Sequence, residues 1–159
     1  MKMRFNYAKV APGVYDAMDV LDSYLAGCGL EEKLLHLVRL RASQMNGCAY
    51  CIDMHWKDLR ALGESERKLY GLDAWRESPD YDERERAALG WSEAVTLVAE
   101  SRIRDEVHDE ARRVLSEKEL ADLTLAVAAI NAWNRLSIAA RLVPGGYQPA
   151  AAVEAGAGA

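Results

Sequence analysis

Residues that build sheets and residues that interrupt helices are both scarce in this chain. Thr occurs twice, Ile four times and Phe once among 159 residues, against 26 Ala and 19 Leu. That balance excludes a mainly β architecture and favours an all-α domain. Eleven Gly and four Pro are too few for a collagen-like or low-complexity chain. With 50% hydrophobic and 28% charged residues, the composition is that of one folded domain of ordinary size. Positive charge is not in excess either: 20 Lys and Arg are interspersed with 25 Asp and Glu, for a net charge of −5. Such a surface offers no footprint for a phosphate backbone, and no nucleic-acid partner is expected.

Long apolar runs are also missing. The first ten residues, Met-Lys-Met-Arg-Phe-Asn-Tyr-Ala-Lys-Val, hold no apolar segment of the signal-peptide kind. The longest uncharged helical run, Leu123 to Asn134, falls well short of the roughly 20 residues that cross a bilayer. A cytoplasmic protein with no membrane partner is the expectation. Three cysteines in a reducing compartment are not a disulfide framework, so any paired thiols point to redox chemistry or metal binding.

The apolar residues that are present recur at helical spacing. Val14, Ala17, Met18, Leu21 and Leu25 lie on one face of a helix ending before Gly27. A second helix opens at Glu31-Glu32 and is broken at Asn46-Gly47; a third carries Cys48 to Leu62 and stops at Gly63. Ser65 to Trp75 reads as a shorter helix, and Asp82 with Glu85 as the start of another. Ser116 with Glu119 is a clear capping box for the longest pattern, which runs to about Leu142 before Pro144-Gly145-Gly146. We therefore expect one helical domain over residues 1–143, with residues 144–159 as a mobile tail.

Chemistry concentrates at residues 48–55, Cys-Ala-Tyr-Cys-Ile-Asp-Met-His. On a helix Cys51 lies about 60° around from Cys48 and His55 about 20° from Cys48, so all three share one stripe. Cysteines three apart can approach disulfide distance, and free N–H groups in a first turn favour a thiolate. An acidified thiol, a second thiol and an imidazole are the parts of a thiol peroxidase or a disulfide reductase. Two alternatives stand beside that reading. One is a metal site completed by Cys28, His36 or His108, and the other is a pair of inert buried thiols. Covalent haem attachment is excluded, because Ile52 rather than His follows the second cysteine. No metal and no cofactor is expected.

The stretch from Leu37 to His55, Leu-Val-Arg-Leu-Arg-Ala-Ser-Gln-Met-Asn-Gly-Cys-Ala-Tyr-Cys-Ile-Asp-Met-His, resembles the core signature of the alkylhydroperoxidase D-like branch of the carboxymuconolactone decarboxylase superfamily. The likeness continues through Trp75-Arg-Glu-Ser-Pro and Glu85-Arg-Ala-Ala-Leu-Gly-Trp-Ser-Glu-Ala-Val-Thr96 and spans about residues 12 to 140. It implies an all-helical fold assembled as homotrimers or homohexamers, and reduction of alkyl hydroperoxides. It implies that Cys51 attacks the peroxide, that Cys48 resolves the product and that His55 relays protons. A lipoylated or other thiol protein would return the electrons, and decarboxylase relatives generally lack the cysteine pair. Two positions depart from the pattern. His36, twelve residues before Cys48, stands where the family relay has Glu, so an imidazole of ordinary pKa near 6.5 would take the place of a fixed negative charge. Tyr50 stands where some peroxidase members have His; at about 200° from Cys48 it is expected to face neighbouring helices.

Plainer roles are expected for the remaining candidates. His108 sits among Arg104, Asp105, Glu106, Asp109 and Glu110, the makings of a solvated face. Cys28 reads as a small buried hydrophobe. Trp75, Trp91 and Trp133 read as core or subunit contacts.

Overall fold

Helix α3, Glu32–Asn46, is the element around which the others assemble in the computed structural model, which describes residues 2–149. Its turns bury Leu34, Leu35, Leu37, Val38, Leu40, Ala42 and Ser43, apolar on more of its circumference than a surface helix. It packs against α4 (Ala49–Ala61), α6 (Glu83–Thr96) and α8 (Glu117–Ala140). Helices α1 (Tyr7–Val10), α2 (Gly13–Ala26), α5 (Glu66–Tyr70) and α7 (Asp105–Val114), with a 3-10 turn at Leu72–Ala74, complete the bundle. Among the described residues there is no strand, as the composition implied. No described helix is long and apolar enough to cross a membrane.

Two apolar clusters lie on opposite sides of α3. Leu25, Leu34, Val38, Trp91, Leu115 and Leu123 join α2, α3, α6, α7 and α8. Leu37, Leu40, Leu59, Leu69, Leu72 and Leu89 join α3 to α4, α5 and α6. Both expected capping boxes are present: Asp82 and Glu85 at α6, Ser116 and Glu119 at α8. The expected helix from Ser65 to Trp75 is instead two pieces, because Gly71 ends α5 and the chain tightens into the 3-10 turn. Helix α7, hidden in the charged run around His108, turns Val107, Ala111 and Val114 onto the core and leaves His108 half exposed.

The junction of α3 and α4 is built for position. Gly47 takes φ 70°, the left-handed C-cap conformation that disfavours a side chain. Its N–H donates to Gln44 O at 3.1 Å, and the Cys48 N–H donates to Ser43 O at 3.0 Å. A buried polar set locks this corner to α8. Ser43 Oγ donates to Arg39 O (2.7 Å), Asn134 Nδ2 donates to Ser43 Oγ (3.0 Å) and Asn46 Nδ2 donates to Asn134 Oδ1 (2.8 Å). Every buried group of that set finds a partner, which makes it a specific clasp.

On the far face of α3, Glu93 accepts from Arg41 Nε at 2.7 Å and from Trp75 Nε1 at 2.9 Å, and pairs with Arg76 at 2.6 Å. Burial opposes its charge, but these donors outweigh burial and hold its carboxyl below the usual range. The chain after α8 does not leave the domain at residue 143. Lys57 Nζ donates to the carbonyls of Gly145 (3.2 Å) and Tyr147 (3.1 Å), and Gly145 N–H donates to Asp53 Oδ2 (2.9 Å). Within the stretch expected as a tail, Gly145 and Tyr147 are thus tied to α4. The rest of the expected tail, residues 150–159, lies outside the described residues.

Candidate active site

Helix α4 carries the motif, and its N-cap is Cys48 rather than a residue inside its first turn. Cys48 Sγ accepts from the Cys51 N–H at 3.4 Å, so the sulfur fills the capping role usually taken by an oxygen. The two cysteines are disulfide-bonded, with Cα atoms 5.4 Å apart, and both are buried. Cysteines three apart at the start of α4 thus lie close enough to bond. Ser137 Oγ, from α8, lies 3.6 Å from Cys51 Sγ. In the dithiol form that hydroxyl is placed to donate to a thiolate.

Beside Cys51 opens a cavity of about 470 Å³ whose lining includes Tyr15, Tyr50, Cys51, His55, Trp133 and Ser137. Trp133 is held by its indole N–H, which donates to Asp22 Oδ2 at 2.8 Å, and its ring lies 5.7 Å from that of Tyr15. Trp133 therefore walls the cavity in addition to packing on α2. Tyr50, expected to face neighbouring helices, also lines it. Cys48 lies on an adjoining cleft of about 240 Å³, bordered by Arg4, Gly47, Ser137 and Arg141. Tyr50, Ser137 and Leu142 line both clefts, with Cys51 on the larger and Cys48 on the smaller.

His36 and His55, named from the sequence, meet here across α3 and α4. Their Nδ1 atoms are 3.1 Å apart. Asp58, which the sequence reading did not single out, completes the group: its Oδ2 is 3.4 Å from His36 Nδ1 and 3.7 Å from His55 Nδ1. Its other oxygen, Oδ1, accepts from the Tyr147 hydroxyl at 2.6 Å. Asp58 had a legible signal, since it follows His55 by three residues on the cysteine stripe. Tyr147 had none, because it lies beyond the Pro-Gly-Gly stop.

Electrostatics follow from burial. Desolvation, reinforced by the neighbouring His55 and only partly opposed by Asp58, pulls His36 down to about 4. His55 is also lowered, by burial first and by Arg39, against the pull of Asp58. The sequence expectation of an ordinary imidazole at position 36 is corrected accordingly. For Asp58 burial works the other way, but the imidazoles and the Tyr147 hydroxyl overcome it and hold the carboxyl below its usual range. At neutral pH the group is therefore two neutral imidazoles facing one carboxylate. His55 Nε2 is buried with no hydrogen-bond partner among the described residues. Cys28 is unpaired and half-buried against the core, and His108 is remote from this site, with its ring 6.2 Å from that of Trp91.

The carboxymuconolactone decarboxylase family model matches residues 12–94. The Bacillus subtilis (strain 168) protein YdfG, itself uncharacterized, is 40% identical over 139 residues, or 87% of this chain and 95% of that one. A crystal structure of a protein of unknown function from Agrobacterium tumefaciens, for which the role of antioxidant defence protein AhpD has been suggested, is 43% identical. It superposes with a TM-score of 0.86 over 94% of this chain and 99% of that one. The debrominase Bmp8 shares the fold at 22% identity and a TM-score of 0.73, over 85% of this chain and 73% of that one. With the family match covering the motif helix, and the solved relative extending over nearly the whole described chain, this protein belongs to the carboxymuconolactone decarboxylase family, in its alkylhydroperoxidase D-like branch.

Proposed function

We propose that the chain is a thiol peroxidase that reduces organic hydroperoxides through a Cys48–Cys51 dithiol/disulfide cycle. The observation that carries the reading is positional. Cys51 opens on the larger cavity together with His36, His55 and Asp58, while Cys48 does not line it.

In the reduced protein His55, polarised through His36 and Asp58, takes the Cys51 thiol proton. The thiolate attacks the terminal peroxide oxygen, an S–O bond forms and the O–O bond breaks. The departing alkoxide takes the proton back and leaves as an alcohol, and Cys51 becomes a sulfenic acid. The Cys48 thiolate then attacks the Cys51 sulfur, the S–O bond breaks and, with one proton, hydroxide leaves as water. Both cysteines end as the disulfide. Two electrons from a thiol or lipoylated donor protein restore the dithiol, and the smaller cleft, beside Cys48, gives that donor an approach. The aromatic wall of Tyr15, Tyr50 and Trp133 suits an apolar alkyl group on the peroxide. Assembly of several copies, three or six, is what the family pattern implies.

Stopped-flow mixing of the fully reduced protein with an alkyl hydroperoxide, followed by peptide mapping, tests the cycle. One peroxide consumed per chain, with a Cys48–Cys51 linkage formed, is the expected result. No disulfide, or linkages through Cys28 alone, would overturn it.

A further inference from the structure

The geometry of three atoms in the cavity wall points beyond proton relay. His36 Nδ1, His55 Nδ1 and Asp58 Oδ2 converge with separations of 3.1, 3.4 and 3.7 Å. A single shared proton cannot satisfy that arrangement. If one ring carries hydrogen on Nδ1, it can donate to the other ring or to the carboxylate. If it donates to the carboxylate, the second ring's lone pair is left facing a carboxylate oxygen; if it donates to the second ring, that carboxylate oxygen receives a proton from neither ring. If both rings carry it, the two N–H groups confront each other at 3.1 Å. Three convergent lone pairs are what a cation ligand set looks like. A tetrahedral zinc ion with ligands at about 2.0–2.1 Å separates them by about 3.3 Å, close to the middle of the three distances.

We infer that His36, His55 and Asp58 form a binding site for a divalent transition metal of zinc type, with the fourth position open to the cavity. The supporting shell has the usual form. The outer oxygen of Asp58 is oriented by the Tyr147 hydroxyl at 2.6 Å, as carboxylate ligands of metals are. Nitrogen and carboxylate donors in a buried, three-ligand set favour zinc over magnesium or calcium. Arg39, whose charge bears on both imidazoles, is partnered by Asp22 at 3.3 Å, which moderates its repulsion of a second positive charge. The disulfide has no part in the set, so the site exists in the oxidised protein.

Occupation has a chemical consequence. Metal on Nδ1 fixes the neutral His55 ring as the tautomer protonated on Nε2. That nitrogen then donates and cannot accept, and the Cys51 proton loses its acceptor. Zinc would act as a reversible brake on the thiol chemistry. This effect rests on the peroxidase reading, whereas binding itself does not.

The test is calorimetry of zinc, and visible absorption of cobalt(II), with the full-length oxidised protein after chelator treatment. One zinc per chain is expected, with tetrahedral cobalt d–d bands and no ultraviolet thiolate charge-transfer band. His36→Phe should weaken zinc binding by about 100-fold or more, and Tyr147→Phe, which keeps all three ligands, by about 10-fold. His108→Ala should leave it unchanged, and so should Cys48→Ser/Cys51→Ser. Absence of stoichiometric zinc, an unaltered affinity in His36→Phe, or loss of binding in the cysteine variant would each overturn the assignment. A protein that binds zinc but consumes no peroxide would fail the proposed function and leave this site standing.

Discussion

His36 gives the folded protein an acid-sensitivity whose size can be worked out. Its pKa is held at about 4 rather than 6.5, by burial first and by His55 second. As pH falls through 6.5 the unfolded chain protonates this residue, while the folded protein keeps it neutral to about 4. The unfolded state binds more protons across that window. The stability tied to His36 is therefore complete above about pH 6.5 and declines as pH falls towards 4. The loss approaches about 3.4 kcal/mol at its end and is about 2 kcal/mol at pH 5. His36→Gln removes the titration and keeps a side chain able to hydrogen-bond to His55 and Asp58. Urea unfolding of oxidised, metal-free protein at one concentration should show the wild type losing about 2 kcal/mol more than the variant between pH 7 and pH 5. With a slope near 2 kcal/mol per molar, that is a midpoint difference of about 1 M. Parallel losses in the two proteins would refute the account. An NMR midpoint for His36 near 6.5 would refute it independently.

Other outcomes follow from the same structure. In stopped-flow assays of the reduced protein, His36→Phe should slow peroxide consumption by about 100-fold, the usual cost of losing a general base or its partner; an unchanged rate would make His36 structural. Glu93→Gln removes the carboxylate shared by Arg41 and the exposed Arg76, while Arg41 keeps its pairing with Asp73; it should cost about 1–2 kcal/mol in denaturant unfolding, with little change in cysteine reactivity. Gly47→Ala places a side chain at φ 70°, which should destabilise the fold by about 1–2 kcal/mol and slow disulfide formation by displacing Cys48. Light scattering should report a closed oligomer, and a stable monomer across micromolar concentrations would contradict the assembly.

Helix ends are legible in the sequence where a side chain closes its own turn, as at Asp82 with Glu85 and Ser116 with Glu119. They are less legible where packing decides. Gly71 tolerates continuation of a helix by pattern alone, yet the Leu72 side chain is fully buried in a cluster that the 3-10 turn reaches. In the charged run before Leu115, three of the ten α7 residues, Val107, Ala111 and Val114, reach the core, too thin a stripe to stand out. Within the site the same division holds. Cys48, Cys51 and His55 share one helix and announce themselves by spacing, and His36 by its place in the family signature. Asp58 sits one turn beyond His55 on the same stripe, so its position is legible even though its residue type is common on a polar helix. Ser137 and Tyr147 reach the site across separations of 86 and 89 residues, which local periodicity does not encode.

That division of near and far also orders the assembly of the site in time. Every thiol and imidazole of the site lies between residues 36 and 55 on one helical hairpin, and its internal His36–His55 pairing closes over only 19 residues. Ser137 and Tyr147 must close loops more than four times as long. Short-range helical pairings form fastest in a folding chain, and long loops pay their closure entropy later. The cysteines consequently meet one another, and the histidines beside them, before α8 and Tyr147 wall off the cavity. During that interval no pocket selects the oxidant, and any small oxidising molecule can reach the pair. Refolding from denaturant under reducing conditions should therefore recover more active protein than refolding in air, by postponing the first oxidation until the cavity decides which molecule delivers it.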